Sequence, residues 1–326
     1  MKQLPSALQN TENCEASVRG ARIAVLIPCF NEEIAIGRVV EEMLRSLPDA
    51  TVYVYDNNSR DQTVSVASAA GAVVRHEKKQ GKGNVVRRMF SDIEADAYVL
   101  VDGDATYDAA SVRMMVDQLL DEQLDMVVGR RTSTVEDAYR AGHRFGNVML
   151  TSFVAWLFGK SFTDILSGYR VFSRRFVKSF PALAKGFETE TELTVHALEL
   201  GMPIAEVDTP YGARPDGSTS KLSTYKDGIR ILRLILALYK HERPLLFFGT
   251  AASVLALASI FLGVPIFLEY AQTGLVPRFP TAILATGVML LASLSLTAGI
   301  ILETVTRGRQ EMKRLAYLQI PLFEER

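Results

Sequence analysis

Two carboxylates one residue apart, Asp102 and Asp104, end an apolar run over residues 98–101 within AYVLVDGDATYD. The run has the pattern of a strand buried on both faces of a parallel sheet. In open α/β sheets ligands bind outside the carboxyl ends of the strands. Two acids placed there can hold a hard divalent cation, Mg²⁺ or Mn²⁺, through oxygen, with a substrate's phosphates completing the shell. An Asp-Gly-Asp also turns a chain, so the pair alone does not separate a metal site from a turn. The elements that position it do more.

Residues 22–30, RIAVLIPCF, are a second continuous apolar run. Ile36, Val39, Val40, Met43, Leu44 and Leu47 follow at helical spacing. A strand over 51–55 ends in Asp56-Asn57-Asn58-Ser59-Arg60-Asp61, and a short strand is expected near 72–74. Gly81-Lys82-Gly83 opens the helix that leads to the 97–102 strand. A fifth strand, 125–128, ends in Gly129-Arg130-Arg131. Strands alternating with helices predict parallel, right-handed β-α-β units. Polar groups then gather at successive strand ends: Asn31 and Glu32, Asp56 and Asn58, Asp102 and Asp104, Arg131, with Lys82 nearby. That order suits a ribose, a base, a metal and a diphosphate. The G-x-G-x-x-G fingerprint of a dinucleotide fold is absent after the first strand, where Pro28-Cys29-Phe30-Asn31-Glu32 stands, and there is no P-loop.

With 326 residues the chain exceeds one typical domain, and its net charge of −1 offers no basis for nucleic-acid binding. Cys14 and Cys29 lack a metal-like spacing and fit a reducing compartment. The polar first twenty residues predict a loose tail over 1–21 and no cleaved signal peptide.

Taken together, PCFNEE, DNNSRDQT, GKGNVVR, VDGDATYD and DILSGYRVFSR resemble the family 2 glycosyltransferases of the GT-A fold. Within them they resemble the polyprenyl-phosphate branch, which includes dolichol-phosphate mannosyltransferases and bactoprenol glucosyltransferases. The similarity runs from about Ile23 to the C-terminus. It implies an α/β catalytic domain over 22–222, a Rossmann-like, mostly parallel sheet with flanking helices. Pro28, Phe30 and Glu32 match positions lining base and ribose, and Asp56 and Asn58 match the acidic turn on the base. Asp102 and Asp104 match the metal pair, with Asp104 the direct ligand. Thr106 stands where mannosyl members carry Gln. Arg131 matches the arginine facing the phosphates, which Lys82 and a loop carrying Arg214 and Lys221 would also approach. Asp164 and Arg170 fall in the segment that borders the acceptor, where this Asp has been considered as a base; a turn or cap role is its alternative. Glu190 falls where relatives face the sugar. His196, mid-helix, is taken as structural.

Residues 244–268 and 279–302 contain no charge, and each run exceeds the ~20 residues that span a bilayer core. Basic residues flank both runs: Lys240 and Arg243 before the first, Arg307, Arg309, Lys313 and Arg314 after the second. The positive-inside rule therefore predicts a two-span hairpin over 244–302 with the catalytic domain, both termini and a 303–326 tail in the cytoplasm. Before the first span, Lys226, Arg230, Arg233 and Lys240 form one helical stripe opposite Ile231, Leu234, Ile235 and Leu238. The segment 223–243 thus reads as an interfacial helix whose Lys226, Arg230 and Arg233 meet anionic head groups or an acceptor phosphate. Residues 138–158 read as a second interfacial helix or an ordinary packed one.

The expected activity is inverting transfer of a hexose, with UDP-glucose or another UDP-hexose favoured as donor, to a polyprenyl phosphate at the cytosolic face. Mg²⁺ or Mn²⁺ is the expected cofactor, the bilayer a partner, and a homo-oligomer compatible. The alternatives are a GDP-mannose-using enzyme, a polysaccharide synthase and a non-catalytic scaffold. A synthase usually carries Q-x-x-R-W, whereas the sole tryptophan here, Trp156, follows Ala155.

Overall fold

The structure, a computed structural model, describes residues 20–132, 141–159, 162–183, 188–215 and 224–321. The tail expected over 1–21 lies almost wholly outside these residues. They fall into two compact units, one up to Gly228 together with the stretch from Lys313 on, the other Ile229–Met312.

The first unit is built on a seven-stranded sheet: β1 (Ile23–Cys29), β2 (Thr51–Asp56), β3 (Val73–His76), β4 (Ala97–Leu100), β5 (Met126–Thr132), β6 (Arg170–Ser173) and β7 (Ile204–Pro210). Its order is β3-β2-β1-β4-β6-β5-β7. β1 pairs in parallel with β2 and β4, and β5 with β7. The apolar runs at the centre of the sheet are buried on both faces, as Val25 and Val99 on one and Leu26 and Leu100 on the other show. The helix α1 (Ile36–Ser46) places Ile36, Val39, Val40 and Met43 on the sheet, the face set by their spacing. Helices α2 (Thr63–Ala69), α3 (Lys82–Asp92) and α4 (Ser111–Asp121) form the next crossovers.

Uniform parallel pairing fails at β6, which runs antiparallel to both β4 and β5. Reversal is possible because no crossover helix immediately precedes β6: it is entered from the irregular segment 162–169, with a turn at Ile165-Leu166. β7 escapes sequence reading because IAEVDTP is only half buried and carries two acids and a proline. The remaining helices of this unit are α5 (Ala141–Phe158), α6 (Arg174–Ser179) and α7 (Thr189–Leu200).

At the foot of β5, buried Asp125 accepts from Ser173 Oγ at 2.6 Å, Arg175 Nε at 2.5 Å and Tyr317 Oη at 2.7 Å. Arg175 also lies over the Tyr317 ring, and Lys313 pairs with Glu199 at 2.5 Å. These contacts lie within the first unit, to which the chain from Lys313 on belongs.

His196 is wedged edge-on between Phe176 and Phe180, with Nε2 3.2 Å from Ser179 Oγ. Burial, then the charge of Lys313, pushes its pKa down to about 3. A depressed folded pKa means stability that is present above the unfolded value of about 6.5 and lost as pH falls toward 3. Between pH 7 and pH 5 the loss should be about 2 kcal/mol. His196→Leu should remove that part of the pH dependence of unfolding; an unchanged dependence would contradict it.

The second unit contains most of α8 (Thr224–Glu242), α9 (Pro244–Thr273) and α10 up to Met312; α10 as a whole spans Phe279–Leu318. Ala285, Ala292 and Gly299, seven residues apart, let α9 approach α10 closely, and a Cβ on Gly299 would sit 3.0 Å from Phe248 Cβ. Ser259 Oγ donates to the Ala285 carbonyl and Ser295 Oγ to that of Phe248. Many of the other large apolar side chains are exposed, Phe261 by 80% and Phe267 by 70%. Both helices are long and apolar enough to cross a membrane.

Candidate active site

A cleft of about 410 Å³ opens over the carboxyl ends of β1, β2 and β4. Pro28 and Cys29 line it from the end of β1, Phe30 and Glu32 from the residues that follow, and Asn57 from just past β2. Gln80, Gly81, Lys82 and Val85 come from the start of α3, and Asp102, Gly103 and Asp104 from the end of β4. Arg214 closes one side.

The Asp-Gly-Asp turn is held in a demanding shape. A Cβ on Gly103 would meet Cys29 Sγ at 2.7 Å, so the turn lies flat on β1 only without one. Ala105 adopts φ 56°, which costs a non-glycine residue roughly 1–2 kcal/mol. The bent turn lets Thr106 donate to Asp104 Oδ1 through its amide at 3.2 Å and its hydroxyl at 2.6 Å. The chain after β7 is strapped across the turn by a Tyr107–Tyr211 bridge and a Gly212 N–H to Thr106 carbonyl bond of 2.8 Å. That strap brings Arg214 Nη2 to 2.7 Å from Asp104 Oδ2.

Asp102 has a different neighbour. Lys82 Nζ lies 2.5 Å from its Oδ1 and 2.5 Å from Glu190 Oε1. Burial works against the ammonium, but the charges of Asp102 and Glu190 outweigh it and raise its pKa above the ordinary lysine value. Gly168 packs on the same group: a Cβ there would sit 2.5 Å from Asp102 Oδ2 and 3.2 Å from Lys82 Nζ. Its amide donates to Tyr107 Oη at 2.9 Å, and burial holds that phenol protonated.

Further along the sheet, Arg131 grips Asp164 with two bonds of 2.7 Å and stacks over Tyr211. Glu206 accepts from the amides of Thr163 and Asp164 and so fixes the loop. Arg170 turns the other way. It is fully buried, donating to the carbonyls of Ile165 and Ser167 and to Thr194 Oγ1. Burial lowers its pKa to about 10, so it stays charged at neutral pH. Its place is beneath the 164–168 loop, away from the cleft lining.

The Asp56 carboxylate is occupied locally, accepting from the Ser59 amide at 3.1 Å and lying 3.3 Å from His76 Nδ1. Asn58 bonds the Lys78 carbonyl and Gln80. Neither belongs to the cleft lining, whereas their neighbours Asn57 and Gln80 do. Asn57 closes the turn by donating to the Glu77 and Lys79 carbonyls and accepting from the Gly81 amide. Tyr107, Gly168 and Tyr211 offer no sequence signal beyond lying two or three residues from Asp104, Arg170 and Arg214. Lys221 lies outside the described residues. Lys226 and Arg230 sit in the first turns of α8, and Arg233, farther along it, is exposed.

Among the described residues no three His, Cys, Asp or Glu form a ready-made metal cage. Asp102 and Asp104, two carboxylates opening on a cleft, fit the chemistry of a hard cation that takes its remaining ligands from phosphates and water.

The geometry can be set beside known proteins. The profile of glycosyl transferase family 2 matches residues 24–180. Glycosyltransferase AglJ of Haloferax volcanii is 31% identical over 300 residues, covering 91% of this chain and 98% of AglJ. The chain belongs to glycosyl transferase family 2. It is a glycosyltransferase with a GT-A-type sheet. A dolichyl-phosphate hexose transferase, also from Haloferax volcanii, is 27% identical over 221 residues, covering 68% of this chain and 95% of that one. Among solved structures, glucosyl-3-phosphoglycerate synthase from Mycobacterium tuberculosis, in complex with Mn²⁺, UDP-glucose and phosphoglyceric acid, shares the fold. The TM-score is 0.55 at 22% identity, over 73% of this chain and 85% of that one.

Proposed function

We propose that this family 2 enzyme transfers a hexose, with inversion, from a UDP-hexose such as UDP-glucose to a polyprenyl phosphate at the cytosolic membrane face. The observation that carries the proposal is the coexistence, in one chain, of the Asp102/Asp104 cleft and two helices long and apolar enough to span a bilayer. The likeness to a dolichyl-phosphate hexose transferase supports the acceptor class, and the synthase crystallised with Mn²⁺ and UDP-glucose supports the donor and cofactor.

Asp104, with Asp102 beside it, would hold a divalent cation against the donor's diphosphate. Bound there, the cation supplies charge neutralisation for the departing nucleoside diphosphate. Arg214, already at Asp104, reaches the same phosphates and adds a preorganised positive charge. A phosphate monoester has a second pKa near ~6, so the acceptor oxygen is largely ionised at neutral pH and needs no strong base. That suits Asp164, whose two oxygens are both engaged by Arg131. The pair then orients the reacting phosphates. The basic residues before the first span and those in the last turns of α10, Arg307, Arg309, Lys313 and Arg314, support a cytosolic side for both ends of the hairpin.

Sealed membrane vesicles test substrate and face together. Inside-out vesicles given labelled UDP-glucose and Mg²⁺ should form a polyprenyl-phosphate-linked sugar, and right-side-out vesicles should not. Labelling only from GDP-mannose would move the assignment to a mannosyltransferase, and product only in right-side-out vesicles would reverse the topology.

A further inference from the structure

We propose that Lys82 is a positioning residue for the sugar end of the donor. Its ammonium ties Asp102 to Glu190, leaving Glu190 Oε2 turned to accept a hydrogen bond from a hexose hydroxyl. The inference rests on the nucleotide-sugar reading above and gives Lys82 a role other than contact with the diphosphate.

Three observations carry it. Lys82 is 12% exposed at its side chain and has two of its three N–H donors committed to carboxylates at 2.5 Å. Gly168 packs beside the ammonium, so that a Cβ added there would sit 3.2 Å from Nζ. Little of the group is left to reach a phosphate. Glu190 is 4% exposed, yet among the described residues its Oε2 has no hydrogen-bond partner. A buried carboxylate oxygen left unpaired is costly, and such groups persist where a ligand meets them.

The sheet order indicates which part of a donor that is. Asn57 and Gln80 line the cleft on the β1–β2 side of Asp102. Glu190 opens α7, which is fastened to β6, on the opposite side of β4, by the Arg170 bond to Thr194. A donor with its base near Asn57 and its diphosphate at Asp104 therefore sends its sugar toward Glu190. Lys82 also explains how an acid 108 residues away is aimed at this spot: it is the shared counter-ion of Glu190 and the β4 turn.

Binding of nucleotides and nucleotide sugars to the full chain in detergent with Mn²⁺ separates the two roles. UDP and UDP-glucose are compared by calorimetry, with GDP and GDP-mannose in parallel. Lys82→Met should raise Kd for the sugar nucleotide about tenfold or more while Kd for the bare nucleotide changes less than about twofold. Glu190→Gln should do the same. Lys82 can only donate, so the amide oxygen must face it, and an NH₂ then replaces Oε2. This variant keeps the Lys82–Asp102 pair and carries the test if Lys82→Met fails to fold. Equal loss of nucleotide and sugar nucleotide in Lys82→Met, with Glu190→Gln binding like wild type, would overturn the inference and return Lys82 to the diphosphate. Binding of neither pair by the wild-type protein would overturn the nucleotide-sugar reading, and the inference with it.

Discussion

Asp104→Asn should lower transfer about a thousandfold, a loss of about 4 kcal/mol of transition-state stabilisation. EDTA should lower wild-type activity as far, with recovery on adding Mg²⁺ or Mn²⁺. The size follows from the surroundings of Asp104. Its carboxylate is buried, shaped by Thr106 and faced by Arg214. Asparagine preserves the volume and can still accept from Thr106, so the fold is kept while the charge that retains a cation at the diphosphate is lost. EDTA should not lower the activity of the Asn variant further, since both treatments remove the same contribution. Activity of wild-type protein that survives EDTA undiminished would remove the metal from the mechanism. Asp102→Asn should behave differently, because its immediate partner is Lys82. Its main consequence is to leave the Lys82 ammonium with Glu190 as its one remaining carboxylate partner.

Arg170→Met should destabilise the protein by about 3–5 kcal/mol. This guanidinium has no solvent exposure and spends its donors on Ile165 O at 2.5 Å, Ser167 O at 2.9 Å and Thr194 Oγ1 at 2.8 Å. Methionine fills much of the space but leaves those acceptors unmatched in a dry interior, at about 1–3 kcal/mol each. Arg170→Lys should rescue little, because an ammonium cannot reproduce the planar fork that spans the loop and α7. Chemical denaturation of the detergent-solubilised protein gives the difference; a variant within about 1 kcal/mol of wild type would show that the loop is held without Arg170. The effect should reach the site, because residues 164–168 carry both Asp164 and the Gly168 that packs on Asp102.

Periodicity and local composition sufficed for much of this protein. Continuous apolar runs ending in acids or amides, separated by segments with Ile36-Val39-Val40-Met43 spacing, specify a buried parallel sheet with helical crossovers, since only such strands hide both faces. The uncharged stretches after Pro244 and Phe279 specify two long apolar helices, because composition alone decides whether a helix can leave water. What depends on residues distant in sequence was decided by the tertiary structure. The direction of β6 follows from which edges β4 and β5 leave open, and no four-residue pattern encodes that. Long side chains offer cations and forks whose partners are chosen only when strands and loops meet. Lys82 thus lies between Asp102 and Glu190, Arg131 on Asp164, Arg214 on Asp104, and Arg170 inside the core. Sequence determined which charges stand at the carboxyl edge of the sheet; packing, by burying some and pairing others, decided which of them face a ligand.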